Sequence, residues 1–340
     1  MEWDVPRTAN GLLVLLDLGS ENGVAAETAL RGTGLNVDLV RYADAEVTPR
    51  QEAMVVSNLL DALPQAEGLG LQAGLRYHLT TYGIWGFALI SSPTLQSAIE
   101  VGLQYLDLTF AFSRIRTRLV DDELQFVLDT PGVPTDIQRF TIEREAANIQ
   151  VLQREVFAAP IPIQRVAFAF PAPADVEPYL ETFGVVPQFD AVENVIAFDP
   201  TLLDAPLPQA NANTAAFAQA QCRELLERRQ ARVGLSGQVR DLILARPSNP
   251  PDAEQVSQAL HLSSRTLRER LAAEGTSFRA LLDEVRERLA EEMLIVGGLT
   301  VAQTAERLGY VELSSFSQAF RRWKGMGPRD YRAQRLAVGR

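Results

Sequence analysis

Cysteine, histidine and lysine are nearly absent from this sequence of 340 residues, which has one cysteine, two histidines and a single lysine, Lys324. The one cysteine, Cys222, can neither close a disulfide within the chain nor build a cysteine-rich zinc site. His78 and His261 offer little for acid–base catalysis, and the sequence has neither a His-Glu-x-x-His motif nor a phosphate-loop lysine. We therefore expect no metal, no cofactor and no enzyme activity. Cys222 is a buried apolar residue in our interpretation, with a sensor role as the alternative.

Long hydrophobic runs are also lacking. The apolar run at residues 12–18 is far too short to span a membrane. The first residues, Met1-Glu2-Trp3-Asp4, are acidic and do not form a basic leader. We expect a cytoplasmic protein that has no membrane partner.

Charge is distributed unevenly along the chain, whose formal net charge is -11. Residues 232–340 contain 17 Arg and Lys and 13 Asp and Glu residues, whereas the remainder contains 15 and 30. This asymmetry favours an acidic regulatory part joined to a part that reads DNA. Nearly all of the positive charge is arginine, which forms bidentate pairs with phosphate and with guanine. Genomic base composition would explain this usage equally well.

Two short helices joined by a tight turn are predicted near the C-terminal end. Thr300 can cap the first helix, with Gln303 at the position that a capping box requires. Gly309 suits a left-handed residue that ends this helix. The second helix has an apolar inner face, formed by Phe316, Phe320 and Trp323, and a polar, basic outer face. This pattern is typical of a helix-turn-helix, although an ordinary helical hairpin would explain one such pair.

The pattern occurs a second time upstream. Asp252 can cap a helix that ends before His261, which stands where Gly309 stands in the later copy. Leu267 and Leu271 then correspond to the inner aromatic residues of the later copy. A predicted helix over residues 277–295, ending at Gly297-Gly298, connects the two copies and would be roughly 28 Å long. That length suits two recognition helices about 34 Å apart, on successive turns of one DNA face.

The C-terminal signature resembles that of the AraC-type bacterial transcription regulators. The resemblance covers residues 233–335 and rests on Gly309-Tyr310, Ser315-Phe316, Ala319-Phe320, Arg322-Trp323, Gly325-Met326 and Pro328-Arg329-Asp330-Tyr331-Arg332. It implies an all-α DNA-binding domain with two helix-turn-helix units, promoter or operator DNA and RNA polymerase as partners, and a homodimer. The single cysteine argues against the DNA-repair relatives of this family, which use several cysteines.

The outer faces of the two recognition helices provide the candidate DNA contacts. In the first unit the candidates for base contacts are Ser264, Arg265, Arg268 and Glu269, and in the second they are Ser314, Ser315 and Gln318. The two arginines could hydrogen-bond guanine and Gln318 could reach adenine. We expect Arg321, Arg322 and Lys324 to contact phosphates or to stay solvated.

The N-terminal part is predicted to be α+β, with sheet and helices around one core. Helical periodicity marks residues 12–18, 24–30, 49–63, 94–106, 136–157 and 176–183. Alternating residues predict a hairpin at 114–128 that turns at Asp121-Asp122, and strands at 165–170 and 195–198. The spacing Gly68-x-Gly70-x-x-x-Gly74 does not fit a nucleotide-binding loop, because no strand precedes it.

Two further stretches resemble the effector domain of one AraC-type branch. They are residues 82–95 and Pro206-Leu207-Pro208-Gln209-Ala210-Asn211. This branch is the ornithine-utilisation-regulator type, which is distinct from the cupin-like sugar-binding domain, and it implies a small-molecule effector. Aromatic residues could line an apolar pocket, and two cationic ones could anchor a carboxylate; alternatively the rings are core and the charges are solvated. These candidates are Arg76, His78, Tyr82, Trp85, Phe87, Tyr105, Phe110 and Phe112.

These observations predict an effector-binding domain at residues 1–205, a linker helix at 206–232 and the DNA-binding domain at 233–340. The helix at 213–229 could be an interdomain arm or a dimer helix. We interpret the chain as a transcription regulator controlled by a small-molecule effector; its ligand, its operator and the choice between activation and repression stay open. The alternatives are a DNA-binding protein that needs no ligand and, less favoured, an enzyme with a DNA-binding appendage.

Overall fold

A computed structural model of the chain describes residues 3–42, 45–157, 161–231, 234–295, 299–310 and 312–338. Its contacts divide it into two compact units, Met1–Glu227 and Arg228–Arg340. The first contains strands and helices and the second contains helices, which confirms the predicted α+β part followed by an all-α part. The limits 1–205, 206–232 and 233–340 stay a prediction, and residues 232 and 233 lie outside the described residues. Within the described ranges, no helix combines the length and apolar character needed to cross a bilayer.

The first unit begins with helices and a two-stranded sheet and continues with a larger sheet. In chain order its elements are β1 (Arg7–Thr8), α1 (Asn10–Glu21), α2 (Ala26–Ala29), α3 (Val37–Val40), β2 (Glu46–Val47), α4 (Pro49–Ala62), α5 (Leu69–Gly74), α6 (Ile84–Ile90), α7 (Leu95–Gln104), β3 (Arg114–Val120), β4 (Glu123–Asp129), α8 (Gln138–Val156), β5 (Ile163–Ala167), α9 (Glu177–Phe183), β6 (Asn194–Phe198) and α10 (Ala212–Ala231).

The larger sheet has the strand order β3-β4-β6-β5, and all neighbouring strands are antiparallel. The predicted hairpin is confirmed, with Val120 paired to Glu123 across the turn. Asp121 and Asp122 have φ values of 48° and 62°, and such left-handed pairs match the twist of a two-residue hairpin. The strand predicted at 165–170 ends earlier, at Ala167, because the next residue, Phe168, donates its N–H to the carbonyl of Gln188.

The first unit contains two large apolar clusters where one core was expected. One lies among α1, α2, α4 and α5, and the other lies between the larger sheet and α6 to α10. Helices α5 and α8 pack against each other and contribute to both clusters. A Cβ on Gly70 would lie 2.4 Å from the carbonyl oxygen of Phe140, and one on Gly74 would lie 2.1 Å from that of Arg144. The glycine spacing therefore serves close helix packing.

The second unit consists of seven helices within the described residues. They are α11 (Gly234–Leu244), α12 (Ala253–Ala259), α13 (Ser264–Ala273), α14 (Phe278–Ile295), α15 (Val301–Arg307), α16 (Leu313–Lys324) and α17 (Pro328–Val338). The predicted end of the connecting helix at Gly297-Gly298 lies outside the described residues. Helix α14 contributes Leu281 and Val285 to one apolar cluster with α11, α12 and α13, and Ala290 and Leu294 to another with α15, α16 and α17.

Candidate nucleic-acid interface and ligand cavity

Helices α15 and α16 form the later helix-turn-helix pair. Thr300 caps α15 and forms the predicted capping box with Gln303, and Gly309 has a φ of 75° in the turn. On α16, Phe316 and Phe320 are both 0% exposed and pack in the second apolar cluster. The opposite face of α16 is exposed and presents Ser314, Ser315 and Gln318.

The three cationic residues at the end of α16 lie in different environments. Arg321 is exposed and has no ion pair with any residue that the structure describes. Arg322 is exposed too, and its Nη2 lies 3.1 Å from the carboxylate of Asp283 on α14. Lys324 is not freely solvated, which corrects that alternative: its Nζ lies 3.0 Å from Glu287 and 2.7 Å from Glu291. Burial opposes its charge, but the hydrogen bonds that the ammonium group donates to these carboxylates outweigh that effect and raise the pKa of Lys324.

Helices α12 and α13 form the earlier pair. Asp252 caps α12 and Ser263 caps α13, while Leu267 and Leu271 are buried on the inner face. His261 has a φ of 54°, as its correspondence to Gly309 predicted.

The outer face of α13 carries the four predicted base-reading residues, and all of them are exposed. They are Ser264, Arg265, Arg268 and Glu269. Arg265 Nε forms a 2.8 Å ion pair with Glu269 on the next turn. Arg268 has no ion pair with any described residue, so its guanidinium is available to an external acceptor.

Helix α14 connects both pairs, because its first half packs on α11 in the apolar cluster that also contains α13, and its second half packs on α15 and α16 in the other cluster. Its 18 residues span about 27 Å at about 1.5 Å per residue. One stiff helix therefore carries a recognition helix in the apolar cluster at each of its ends. Base contacts by the named side chains stay a prediction.

The first unit contains a partly open cavity of about 130 Å³ between the larger sheet, α7 and α8. Its lining is mainly aliphatic and aromatic and includes Tyr82, Trp85, Leu89, Leu95, Ala98, Ile99, Gly102, Leu103, Phe110, Ile115, Phe126, Ile149, Leu152 and Phe198. Polar residues of α8 also line it, namely Arg144, Glu145, Asn148 and Gln153. The volume is comparable with that of an engineered cavity of about 150 Å³ that binds benzene.

Some of the residues predicted from the sequence line this cavity and others lie elsewhere. Tyr82, Trp85 and Phe110 line it. Tyr105 is buried in the same apolar cluster but does not line the cavity, and Phe112 belongs to the other cluster. Phe87 is 48% exposed, because it lies on the outer side of α6.

Arg76 and His78 also lie outside the cavity lining. Arg76 pairs with Glu21, and His78 pairs with Glu155. Both side chains are thus engaged by carboxylates far away in sequence. The structure does not bring them together with Tyr82 and Trp85 as anchors for a ligand in this cavity.

The sequence interpretation missed a buried ionic cluster beside the cavity, formed by Arg7, Glu52, Arg144 and Glu145. Arg7 Nη2 lies 2.7 Å from Glu52, and Arg144 bridges Glu52 at 3.4 Å and Glu145 at 3.1 Å. Burial works against the Arg144 charge, but neighbouring Tyr77, Glu145 and Glu52 raise its pKa. The run Glu143-Arg144-Glu145 was the available signal, because three successive residues spread over more than half of a helix circumference. All three are buried in α8.

Helix α10 packs on the core of the first unit. Ala218 and Cys222 are fully buried there, and burial raises the pKa of the Cys222 thiol to about 11. This confirms Cys222 as a buried residue and argues against the sensor alternative, since the reactive form of cysteine is the thiolate. Phe217 and Leu225 on another face of α10 are 60% and 41% exposed.

Comparisons with known proteins agree for both units. Residues 23–207 match the family described as the arabinose-binding domain of AraC transcription regulator, N-terminal, and residues 256–334 match a helix-turn-helix domain family. An uncharacterized HTH-type transcriptional regulator of Mycobacterium tuberculosis is 36% identical over 323 residues, which cover 94% of each chain. The ornithine utilization regulator of Pseudomonas aeruginosa is 32% identical over 320 residues, again 94% of each chain.

A solved structure is also similar. The transcriptional regulator CdpR from Pseudomonas aeruginosa is 26% identical, with a TM-score of 0.47, and the match covers 95% of this chain and 98% of that one. The two family matches and the extent of the match to the ornithine utilization regulator agree with the capped helix pairs described above. The chain therefore belongs to the AraC-type family of DNA-binding transcription regulators, in the branch that includes the ornithine utilization regulator.

Proposed function

We propose that both helix-turn-helix units of this chain read one promoter site and that a small molecule in the N-terminal cavity controls this binding. The observation that carries the proposal is the packing of α14, whose two halves lie in two apolar clusters that each contain one recognition helix. The outer faces of both recognition helices are exposed and polar. Two such helices about one turn of DNA apart would enter successive major grooves.

In the earlier helix-turn-helix pair, Arg268 is the residue best suited to read a base. It is exposed, and its guanidinium group forms no ion pair with a described residue. Arg265 must exchange its pair with Glu269 for a DNA acceptor. Ser264 and Glu269 complete the proposed contact surface of α13.

In the later helix-turn-helix pair, Gln318 is proposed to read adenine, with Ser314 and Ser315 beside it on the exposed face of α16. Arg321 and Arg322 are proposed to contact phosphate. Lys324 belongs to the packing between α16 and α14, because two carboxylates already hold its ammonium group.

The regulatory part of the proposal rests on the cavity and on α10. The cavity-lining residues and the buried face of α10 belong to one apolar cluster. Helix α10 runs from this cluster past the division between the two units, which lies after Glu227. A ligand that repacks the cluster would therefore act on the helix that leads to the DNA-binding unit.

A homodimer is part of the proposal. Phe217 and Leu225 are exposed apolar residues on α10, and a second copy would cover such side chains. As a regulator that binds chromosomal DNA, the protein would act in the cytoplasm, with RNA polymerase as a further partner at the promoter.

The direct test is selection of binding sites from random DNA by the full chain, followed by affinity measurements on the selected and scrambled sequences. We expect at least a thousandfold preference, the lower end of about 10³–10⁷ for specific binders. Arg268→Ala and Gln318→Ala should each reduce the preference, whereas Arg31→Ala, at an exposed arginine of the first unit, should not. Equal affinity for scrambled DNA would contradict the proposal and would support the alternative of a DNA-binding protein that needs no ligand and has little sequence preference.

A further inference from the structure

The charged groups that line the cavity are already paired with each other. Arg144 Nη2 donates to the carbonyl of Phe110 at 3.0 Å and to Glu145 at 3.1 Å, and Nη1 reaches Glu52. The Glu145 carboxylate accepts the backbone N–H groups of Phe112 and Ser113. A ligand carboxylate or ammonium group would have to break these contacts to find a counter-charge.

The neutral polar groups of the cavity are also engaged. Tyr82 donates its hydroxyl hydrogen to Asn148 Oδ1 at 2.7 Å, and Asn148 Nδ2 donates to the carbonyl of Tyr77 at 2.7 Å. Trp85 Nε1 donates to the carbonyl of Gly102 at 3.2 Å. Burial raises the pKa of Tyr82 well above its ordinary value, so this phenol stays neutral at physiological pH. These groups leave a surface of hydrocarbon and ring faces for a ligand.

We propose that the cavity takes a compact, uncharged and mainly apolar molecule, about the size of benzene, and excludes carboxylates and amino acids. This inference rests on the proposed function, because it names the chemical class of the effector. Burying an unpaired ion in such a site is strongly unfavourable, whereas apolar surface gains free energy when it leaves water. An ornithine-like ligand, which carries both kinds of charge, would find no partner for either.

Substitutions on helix α7 can fill the cavity without changing the polar lining residues of α8. Ala98 on this helix is buried and lines the cavity, so Ala98→Leu should fill part of it. Gln104 lies on the same helix and is exposed, so Gln104→Leu adds an apolar side chain outside the cavity. Leu103→Phe, from a half-buried lining position, is a second filling variant.

Fluorine NMR of the full chain with fluorobenzene and with para-fluorobenzoate tests the inference, since the two probes share a ring and differ by a carboxylate. We expect fluorobenzene to bind at least about tenfold more tightly than para-fluorobenzoate, and ornithine to cause no shift of the melting temperature. Ala98→Leu and Leu103→Phe should each weaken fluorobenzene binding at least tenfold, and Gln104→Leu should not change it. A melting profile of each variant establishes that it folds.

Tight binding of para-fluorobenzoate or ornithine that a folded filling variant abolishes would overturn the inference and leave effector control standing. Failure of fluorobenzene to bind, or binding that both folded filling variants leave unchanged, would also overturn it. If fluorobenzene occupies the cavity without altering affinity for selected DNA, the ligand class is supported and control by this class of ligand is contradicted.

Discussion

Gly309 and Ser248 are in close contact: a Cβ on Gly309 would lie 2.2 Å from the Ser248 carbonyl oxygen. The connection between α11 and α12 thus packs against the turn of the later helix pair. At the corresponding turn of the earlier pair, His261 is exposed and adopts the same left-handed backbone. The turn therefore needs a left-handed residue in both helix pairs. Only the turn of the later pair also leaves no room for a side chain.

Gly309→Ala should therefore destabilise the chain by more than the left-handed cost of roughly 1–2 kcal/mol, because the added methyl group also collides with Ser248. His261→Gly should be neutral or should stabilise by up to about 1 kcal/mol, because only backbone strain changes. Urea unfolding of both variants measures this difference. A loss for Gly309→Ala that does not exceed the left-handed cost alone would contradict the contact at Ser248.

Arg268→Ala should cost roughly 1–3 kcal/mol on the selected DNA site and relax the preference at one base pair. The reason is that Arg268 is exposed and has no ion pair among the described residues. Affinities for every single-base variant of the site give the answer. A uniform loss over all of these sequences would show a phosphate contact instead of a base contact.

Trp323 packs on the apolar cluster formed by α14, α15, α16 and α17. Its indole Nε1 is buried without a hydrogen-bond partner in the described structure. Trp323→Ala should cost about 3–5 kcal/mol, since it removes a large ring from the cluster. Trp323→Phe should cost much less, because it keeps ring packing and removes a donor that is expensive to leave unpaired. Denaturant unfolding compares them, and an unchanged profile for Trp323→Ala would refute its packing role.

Lys324 should stabilise the folded chain until the pH exceeds the range in which lysine is charged. Its folded pKa is raised above the ordinary value of 10.5, so its contribution is complete below that pH and is lost as the pH rises through the folded pKa. The free energy of unfolding of Lys324→Met should therefore lie below that of the native chain at pH 7, and the gap should narrow in alkali. A gap that does not depend on pH would contradict the ion pairs with Glu287 and Glu291.

Arg321 and Lys324 should differ in the salt dependence of DNA binding. Arg321→Ala should reduce the slope of log affinity against log salt by about 1, as expected for loss of one phosphate contact. Lys324→Met should leave the slope nearly unchanged, because its ammonium group is held by α14. The opposite result would place Lys324 at the DNA and Arg321 away from it.

The sequence predicted the helix pairs because their signals are local. Caps such as Thr300 and inner residues such as Phe316 and Phe320 lie within a few positions of the turn that they define. The paired charges that line the cavity could not be predicted in the same way, because Arg144 and its partner Glu52 are 92 positions apart in the sequence. Arg76 and His78 looked available as anchors for the same reason, since their partners Glu21 and Glu155 are distant in the chain.

The central claim is that both recognition helices read one face of DNA at a fixed separation. The most direct measurement is the affinity of the full chain for its selected site with half a helical turn, about 5 bp, inserted between the two contacted segments. We predict that the insertion removes most of the specific affinity, because it turns one segment to the opposite face, and that a whole-turn insertion harms it less than the half turn. Unchanged affinity after the half-turn insertion would contradict reading by two helices anchored on α14.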